Sequence, residues 1–303
     1  MIDIGKLTTF QTKNFARNFF QINSEDDLSY FLDHYCTKED LFCFGGWSNV
    51  LFAKQQYDRS IFVKNNLRWI KYLWMDYFEV NAWEILSNFV SFISQKHDIN
   101  MLHPIFAIPG TVWWAIIWNA GSYGVEIWRF VKKIKYVDET GEIVEKDDYT
   151  HSYRHSSLSN KKIFLISAVL HFPIKNNPDF KNMREYMEMS LKAKEYKKTC
   201  GCFFKNHILN DRDNQALILA FKDNPIKDQY YKEEITIPAG WMIDKCWLRW
   251  YEENGVKISE KHANFIVNYD NENPDNILKL SRLIKQKVFE KFAIILKEEV
   301  KII

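Results

Sequence analysis

Hydrophobic and polar positions along the chain switch between a helical period and strand-like runs. Ser24 to Tyr35 opens with Ser24 and Asp27 at capping-box spacing and predicts a short helix. Leu41 to Phe44 is an apolar run, then comes Gly45-Gly46-Trp47-Ser48-Asn49, then Val50 to Phe52; this reads as strand, tight loop, then strand or helix entry. Ser60 to Lys64 and Met75 to Val80 predict strands. From Glu84 to Gln95 the residues Ile85, Leu86, Phe89, Val90 and Ile93 share one helical face. Ile105 to Gly124 is loop-rich, carrying Pro109-Gly110-Thr111 and Asn119-Ala120-Gly121-Ser122-Tyr123-Gly124. Val131 to Asp138 and Ile163 to Phe172 predict strands, with a turn at Glu139-Thr140-Gly141. Asn182 to Lys198 predicts a charged helix, whereas Asn206 to Lys232 has no clear period and reads as an insertion. The last helix begins at Pro274 after Asn273, with Ile277, Leu280, Ile284, Val288 and Phe292 as its buried stripe. This mixture is an α+β chain, with a boundary expected near residues 173–200.

Composition narrows the class. The 303 residues suit one large or two ordinary domains, and 47% hydrophobic with 26% charged residues is globular. Lys+Arg 41 against Asp+Glu 39 leaves a net charge of +2, which gives no electrostatic reason to expect nucleic acid or a membrane surface as partner. No apolar run approaches the length of a membrane-crossing helix, and the first residues lack a signal-peptide core. Five cysteines, an odd number, argue against a disulfide framework and for a reducing cytoplasm.

Two loops carry candidate chemistry. In Gly45-Gly46-x-Ser48-Asn49, small residues free backbone N–H groups to face an anion, and the Ser and Asn side chains add donors. On turn chemistry alone the same stretch is simply a tight turn. Pro109-Gly110-Thr111 with the Asn119 to Gly124 stretch is a second donor-rich pair, and two such loops suit a dinucleotide with a diphosphate. The spacing is not the Gly-x-Gly-x-x-Gly of a Rossmann unit. A metal reading of Cys200, Cys202 and His207 lacks a second Cys/His pair at ligand spacing. By composition alone Cys202 is a small buried hydrophobe, Arg154 a surface arginine and Glu299 a solvated acid.

Seven segments in order resemble the UDP-N-acetylenolpyruvoylglucosamine reductase family. They are Gly45-Gly46-Trp47-Ser48-Asn49-Val50-Leu51, Ile108-Pro109-Gly110-Thr111-Val112 with Asn119 to Gly124, Tyr153-Arg154-His155-Ser156, Gly201-Cys202-Phe203-Phe204-Lys205-Asn206, Ala239-Gly240-Trp241-Met242-Ile243-Asp244, Ser259 to Phe265, and Glu298-Glu299-Val300. The resemblance implies an FAD-binding region of the vanillyl-alcohol-oxidase (PCMH) type over residues 1–175 and a C-terminal substrate-binding domain over 176–303. It implies a cytoplasmic oxidoreductase of peptidoglycan precursor synthesis, with NADPH as hydride donor and the enolpyruvyl ether of UDP-N-acetylglucosamine as substrate. Its product would be UDP-N-acetylmuramate. A monomer is the expected state, and no metal is implied. Carried over by position, Arg154 would pair with the substrate carboxylate, Glu299 would be the acid near it, and Cys202 would stand at the proton-donor position, a serine in most members. A thiol is a stronger acid than a serine hydroxyl and so is competent there. Cofactor contacts would come from Gly45, Gly46, Trp47, Ser48, Asn49, Pro109, Gly110, Thr111, Trp114, Asn119, Gly121 and Tyr123. Substrate contacts would come from Tyr153, Lys205, Asn206 and His262. Two alternatives stand beside this: a flavin-free relic that binds a nucleotide sugar or a protein, and another flavin oxidoreductase of the same superfamily.

One pair of counts departs from the ordinary. Glycine appears 10 times, roughly 3% against a usual figure near 7%, and tryptophan appears 11 times; pooled, they return to about 7%. By the resemblance, Trp47, Trp83, Trp113, Trp114, Trp247 and Trp250 fall on glycine positions, and Trp69, Trp74, Trp118 and Trp128 where glycine is common or easily tolerated. Trp241 alone matches a family tryptophan. A bulky residue at a left-handed or close-approach site costs about 1–3 kcal/mol. The expectation is that UGA codons underlie these positions and that the source reads them as glycine. The tryptophan-bearing chain is then expected to bind FAD poorly, and the glycine-bearing one to bind it.

Overall fold

The computed structural model describes every residue except 39, 44, 160, 194–197, 210–235 and 271. The chain forms two compact units. The first comprises Met1–Ile2, Ala16–Trp47 and Asp58–Ser190; the second comprises Asp3–Phe15, Ser48–Tyr57 and Leu191–Ile303. A single cut after residue 175 is what the sequence suggests, but the compact units draw 3–15 and 48–57 to the C-terminal part. Long-range pairing is the reason. Strand Lys301–Ile302 runs parallel to Val50–Leu51, with Lys301 opposite Val50, and the Asn268 amide donates to the Phe10 carbonyl at 2.7 Å.

The first unit is built on a five-stranded antiparallel sheet in the order Ile143–Lys146, Val131–Val137, Phe164–His171, Tyr77–Asn81, Ile70–Tyr72. Strand Phe164–His171 sits at its centre, and an apolar sequence there is what burial on both faces demands. Helix Leu86–His97 lays Leu86, Phe89, Val90 and Ile93 into the same core as Phe78 and Val80. Its last turn closes on Asp98 in the left-handed region at φ 56°. A four-stranded sheet has the order Ile2–Asp3, Phe15–Ile22, Gln56–Asn65, Leu41–Cys43, and its last pair is parallel with Phe42 opposite Phe62. Helix Glu25–His34 carries the expected capping box, the Ser24 hydroxyl accepting from the Asp27 N–H while the Asp27 carboxylate accepts from the Ser24 N–H. Helix Met183–Ala193 begins as expected; residues 194–197 at its predicted end lie outside the described residues.

Helix Val112–Ile117 lies inside the segment that reads as loop in the sequence. Its run of Val, Trp, Trp, Ala, Ile and Ile is apolar on nearly every side, so it shows no helical period. The capping residue Thr111 accepts from the Trp114 N–H at 3.4 Å.

In the second unit, helix Pro274–Phe292 is capped by Asn273 and buries Ile277, Leu280, Ile284 and Val288. These join Met242 and Ile243 of helix Ala239–Lys245 and Val256, Ile258 and Ile266 of the antiparallel strands Val256–Ile258 and Ile266–Asn268 in one apolar cluster. His207–Ile208 pairs antiparallel with Thr236–Ile237, and residues 210–235 of the expected insertion lie outside the described residues. Among the described residues no helix is long and apolar enough to cross a membrane.

Candidate active site

In the first unit the two donor-rich loops meet. A Cβ on Gly45 would stand 2.0 Å from the Thr111 hydroxyl, and one on Gly46 would stand 2.9 Å from the Gly110 Cα. At Gly46 backbone therefore packs on backbone, and at Gly45 backbone packs on the Thr111 side chain; only glycine permits either approach. Gly110 itself has φ 132°, a second reason for a residue without a side chain. Trp47 follows at φ 57° and is buried, its ring 6.1 Å from that of Phe62. Trp113 is buried against Trp83 with ring centres 5.9 Å apart, and its indole Cε3 would lie 3.4 Å from a Cβ on Gly45. The Trp113 indole nitrogen is buried with no hydrogen-bond partner among the described residues. Trp114 is half-buried on the same short helix and Pro109 is exposed.

Arg154 caps a hairpin formed by His151–Ser152 and His155–Ser156. Its backbone is left-handed at φ 50°, a conformation unusual for a long side chain. Two contacts hold it there. The Asn119 amide donates to the Ser152 carbonyl at 3.0 Å, and the Arg154 Nη2 donates to the Gly121 carbonyl at 2.8 Å. The guanidinium also lies 5.3 Å from the centre of the Tyr153 ring. Asn119 is fully buried at φ 44°, and its side-chain oxygen has no hydrogen-bond partner among the described residues. Tyr123, at φ 46°, leaves its ring 5.1 Å from Tyr186. These residues belong to the first unit, together with Gly45, Gly46, Trp47, Gly110 and Thr111.

The second unit pairs the Cys202–Lys205 strip with residues 264–265 and with residues 297–299. Cys202 forms an antiparallel bridge with Phe265, and Phe204 forms one with Glu298. Between them Phe203 donates its N–H to the Asn264 carbonyl at 2.8 Å and accepts from the Glu299 N–H at 2.8 Å. Lys205 continues the pairing to the Lys297 carbonyl at 2.8 Å. Buried Asn264 locks the strip from the other edge: its Oδ1 accepts from the Phe204 N–H at 3.0 Å and its Nδ2 donates to the Phe204 carbonyl at 2.8 Å. Electrostatics reports the same proximity. Burial first, then the neighbouring Cys202 and Glu299, pushes the Cys200 thiol well above the usual range.

Glu299 is tied to the phosphate-loop candidate from the other direction. The Asn49 amide donates to the Glu299 carbonyl at 3.1 Å, and the Lys301 N–H donates to the Asn49 carbonyl at 3.0 Å. Ser48 accepts through its carbonyl from the Thr9 hydroxyl at 2.7 Å. Asn206 accepts from the Ala239 N–H at 3.1 Å, so it starts the helix Ala239–Lys245. His262 stacks on Phe265 with ring centres 4.5 Å apart, and burial, with Arg249 second, pushes its imidazole below the usual range. Lys205, Asn206, His262, Cys202 and Glu299 all fall in the second unit, and Tyr153 and Arg154 in the first.

Asn264 is the residue that sequence reasoning passes over as a functional one. Its signal is present: a polar amide between Ala263 and Phe265 in an otherwise apolar stretch, where burial is affordable only if every hydrogen bond is made.

Comparison with known proteins agrees across nearly the whole chain. Residues 192–303 match the model of the UDP-N-acetylenolpyruvoylglucosamine reductase C-terminal domain, a stretch that begins where the last segment of the second unit does. The UDP-N-acetylenolpyruvoylglucosamine reductase of Francisella tularensis is 27% identical over 305 residues, covering 98% of this chain and 97% of the relative. That of Buchnera aphidicola is 30% identical over 339 residues, covering 99% of this chain and 98% of the relative. The crystal structure of UDP-N-acetylenolpyruvylglucosamine reductase from Thermus caldophilus has the same fold, with a TM-score of 0.71 and 19% identity over 99% of this chain and 97% of that one. With identity at this level along the full length of both chains, the protein belongs to the UDP-N-acetylenolpyruvoylglucosamine reductase family.

Proposed function

We propose that the chain is an NADPH-dependent flavoprotein reductase that converts UDP-N-acetylglucosamine enolpyruvate to UDP-N-acetylmuramate in the cytoplasm. The observation that carries this reading is that Phe203, the residue next to Cys202, accepts the Glu299 N–H at 2.8 Å, which brings the two segments side by side. Reduction of an enolpyruvyl double bond needs a proton on one carbon while negative charge spreads to the carboxylate. A proton donor and a second acid carried on two hydrogen-bonded segments are the groups that demand calls for.

FAD fits the first unit at its backbone. The Gly45–Thr111 and Gly46–Gly110 approaches bring two glycine-bearing loops together, and their N–H groups, clear of side chains, suit the diphosphate of a dinucleotide of the PCMH type. Within that unit Gly45, Gly46, Gly110 and Thr111 would hold it, with Asn119, Gly121 and Tyr123 on the second loop. When bound, the flavin supplies hydride equivalents drawn from NADPH.

The chain's own side chains do the rest. Arg154, whose Nη2 donates to the Gly121 carbonyl, pairs with the substrate carboxylate through its guanidinium. Glu299 donates a hydrogen bond to the developing enolate-like dianion, and Cys202 delivers the proton that completes the new C–H bond. Tyr153, Lys205, Asn206 and His262 orient the nucleotide sugar.

The test is direct. Purified protein given NADPH and the enolpyruvyl nucleotide sugar oxidises the nicotinamide only when both are present, and the product gains two hydrogens. Binding of the nucleotide sugar with neither flavin uptake nor nicotinamide oxidation, by chain carrying glycine at the tryptophan positions that resemble family glycines and incubated with FAD, would overturn the reading in favour of a flavin-free relic.

A further inference from the structure

Among the described residues, twelve non-glycine residues have a left-handed backbone, and three of them are tryptophans: Trp47 at φ 57°, Trp247 at 59° and Trp250 at 77°. Asn119, Asn254, Asp76 and Asp98 in the same group carry short polar side chains that tolerate this region. An indole does not; in that region it clashes with its own backbone and can make no local hydrogen bond in return.

The surroundings sharpen the point. Trp247 stands two residues beyond helix Ala239–Lys245, its N–H donating to the Asp244 carbonyl at 3.0 Å. A left-handed residue closing a helix is the position where glycine is the usual occupant. The Trp247 side chain is 89% exposed and that of Trp250 is 63% exposed, so neither gains burial in exchange for its backbone. Trp250 lies just before the hairpin of Glu252–Glu253 and Val256–Ile258, another place for glycine. Trp47 extends Gly45-Gly46, in a loop packed on Gly110. Trp83 and Trp128 behave otherwise: their indole N–H groups donate to the Leu165 carbonyl at 3.1 Å and the Ile116 carbonyl at 2.7 Å. Backbone strain thus singles out three tryptophans in a chain short of glycine.

We infer that the working polypeptide carries glycine, not tryptophan, at positions 47, 247 and 250, because the gene spells them with a UGA codon that its source reads as glycine. Some bacterial codes assign UGA to tryptophan and others to glycine, so one codon accounts for all three sites at once. The loop then becomes three successive glycines, with three backbone N–H groups clear of side chains. The consequence for a flavin diphosphate rests on the reductase reading; the residue identities do not.

Peptide sequencing by mass spectrometry of protein purified from its own source reads the three sites directly. Trypsin yields 39–54 for position 47, 246–249 for position 247 and 250–257 for position 250. Glycine at all three is the expected result, and tryptophan at any of them overturns the inference. A recombinant series gives an independent reading. Trp247→Gly and Trp250→Gly should each raise the thermal midpoint by about 2–4 °C. An unchanged or lowered midpoint in both would overturn it. Neither measurement depends on nicotinamide oxidation, so failure of the reductase reading would leave the inference standing or falling by itself.

Discussion

The Asn49 side-chain amide donates to the backbone carbonyl of Glu299 at 3.1 Å, although the two residues are 250 apart in sequence. The Lys301 N–H returns to the Asn49 carbonyl, so the loop residue and the acid segment are held by a closed pair of bonds. Under the proposed function, Asn49 is thereby a positioning residue for Glu299. Asn49→Ala removes one hydrogen bond, about 1 kcal/mol of stability. It should lower kcat roughly tenfold while leaving KM for NADPH within about twofold. Steady-state kinetics checks the split, and a change confined to KM would show that Asn49 acts on binding alone.

Cys202 carries a prediction about chemistry instead of position. Cys202→Ala should lower kcat by about 10²–10⁴-fold, the usual worth of a placed general acid. Cys202→Ser restores a transferable proton in nearly the same volume and should recover most of that loss. If alanine and serine variants were equally active, the proton would have to come from elsewhere, and single-turnover kinetics with deuterated solvent would show no change between them.

The backbone approach at Gly45 makes a prediction about cofactor loading. Gly45→Ala places a methyl 2.0 Å from the Thr111 hydroxyl, and Thr111 is buried, so the clash has no cheap escape. Overpacking of this kind costs about 1–3 kcal/mol. Flavin absorbance of the purified variant should fall below that of the parent, whereas Trp47→Gly should raise it.

His103 predicts a pH dependence of stability. Its Nδ1 faces the Lys181 carbonyl at 3.2 Å and so carries the proton, which leaves Nε2 to accept from the Ser94 hydroxyl at 2.8 Å. Burial lowers its pKa below the ordinary 6.5, with the Lys181 carbonyl as a smaller opposing influence. The folded state therefore binds fewer protons than the unfolded one between the folded pKa and 6.5. Its contribution to stability is complete above 6.5 and is lost as pH falls through that value toward the folded pKa. Urea midpoints measured from pH 7.5 to 5 should fall for the parent and fall less steeply for His103→Gln.

Local signals were legible in the sequence where one side chain answers one backbone group. Ser24 with Asp27 and Asn273 before Pro274 mark helix starts that the structure reproduces. The loops at Gly45 and Gly110 are visible as loops, but their mutual packing is not, because close approach depends on space left by residues some 60 positions away. Helix Val112–Ile117 hides for a different reason: buried on almost all sides, it has no polar face to set a period. The two-residue strand Lys301–Ile302 and its partner Val50–Leu51 are too short for any local pattern, and only the tertiary pairing defines them. Cys202 and Glu299 were named through family resemblance; composition alone gives neither a role.

The strip from Cys202 to Lys205 is gripped on both edges by main-chain pairing, with Asn264 on one side and residues 297–299 on the other. The placement of the Cys202 and Glu299 backbones is thus inherited from peptide geometry, not from how tightly the neighbouring apolar cluster is filled. A one-step slip of the strip would put Phe203 where Cys202 stands and turn every side chain of the strip to the other face.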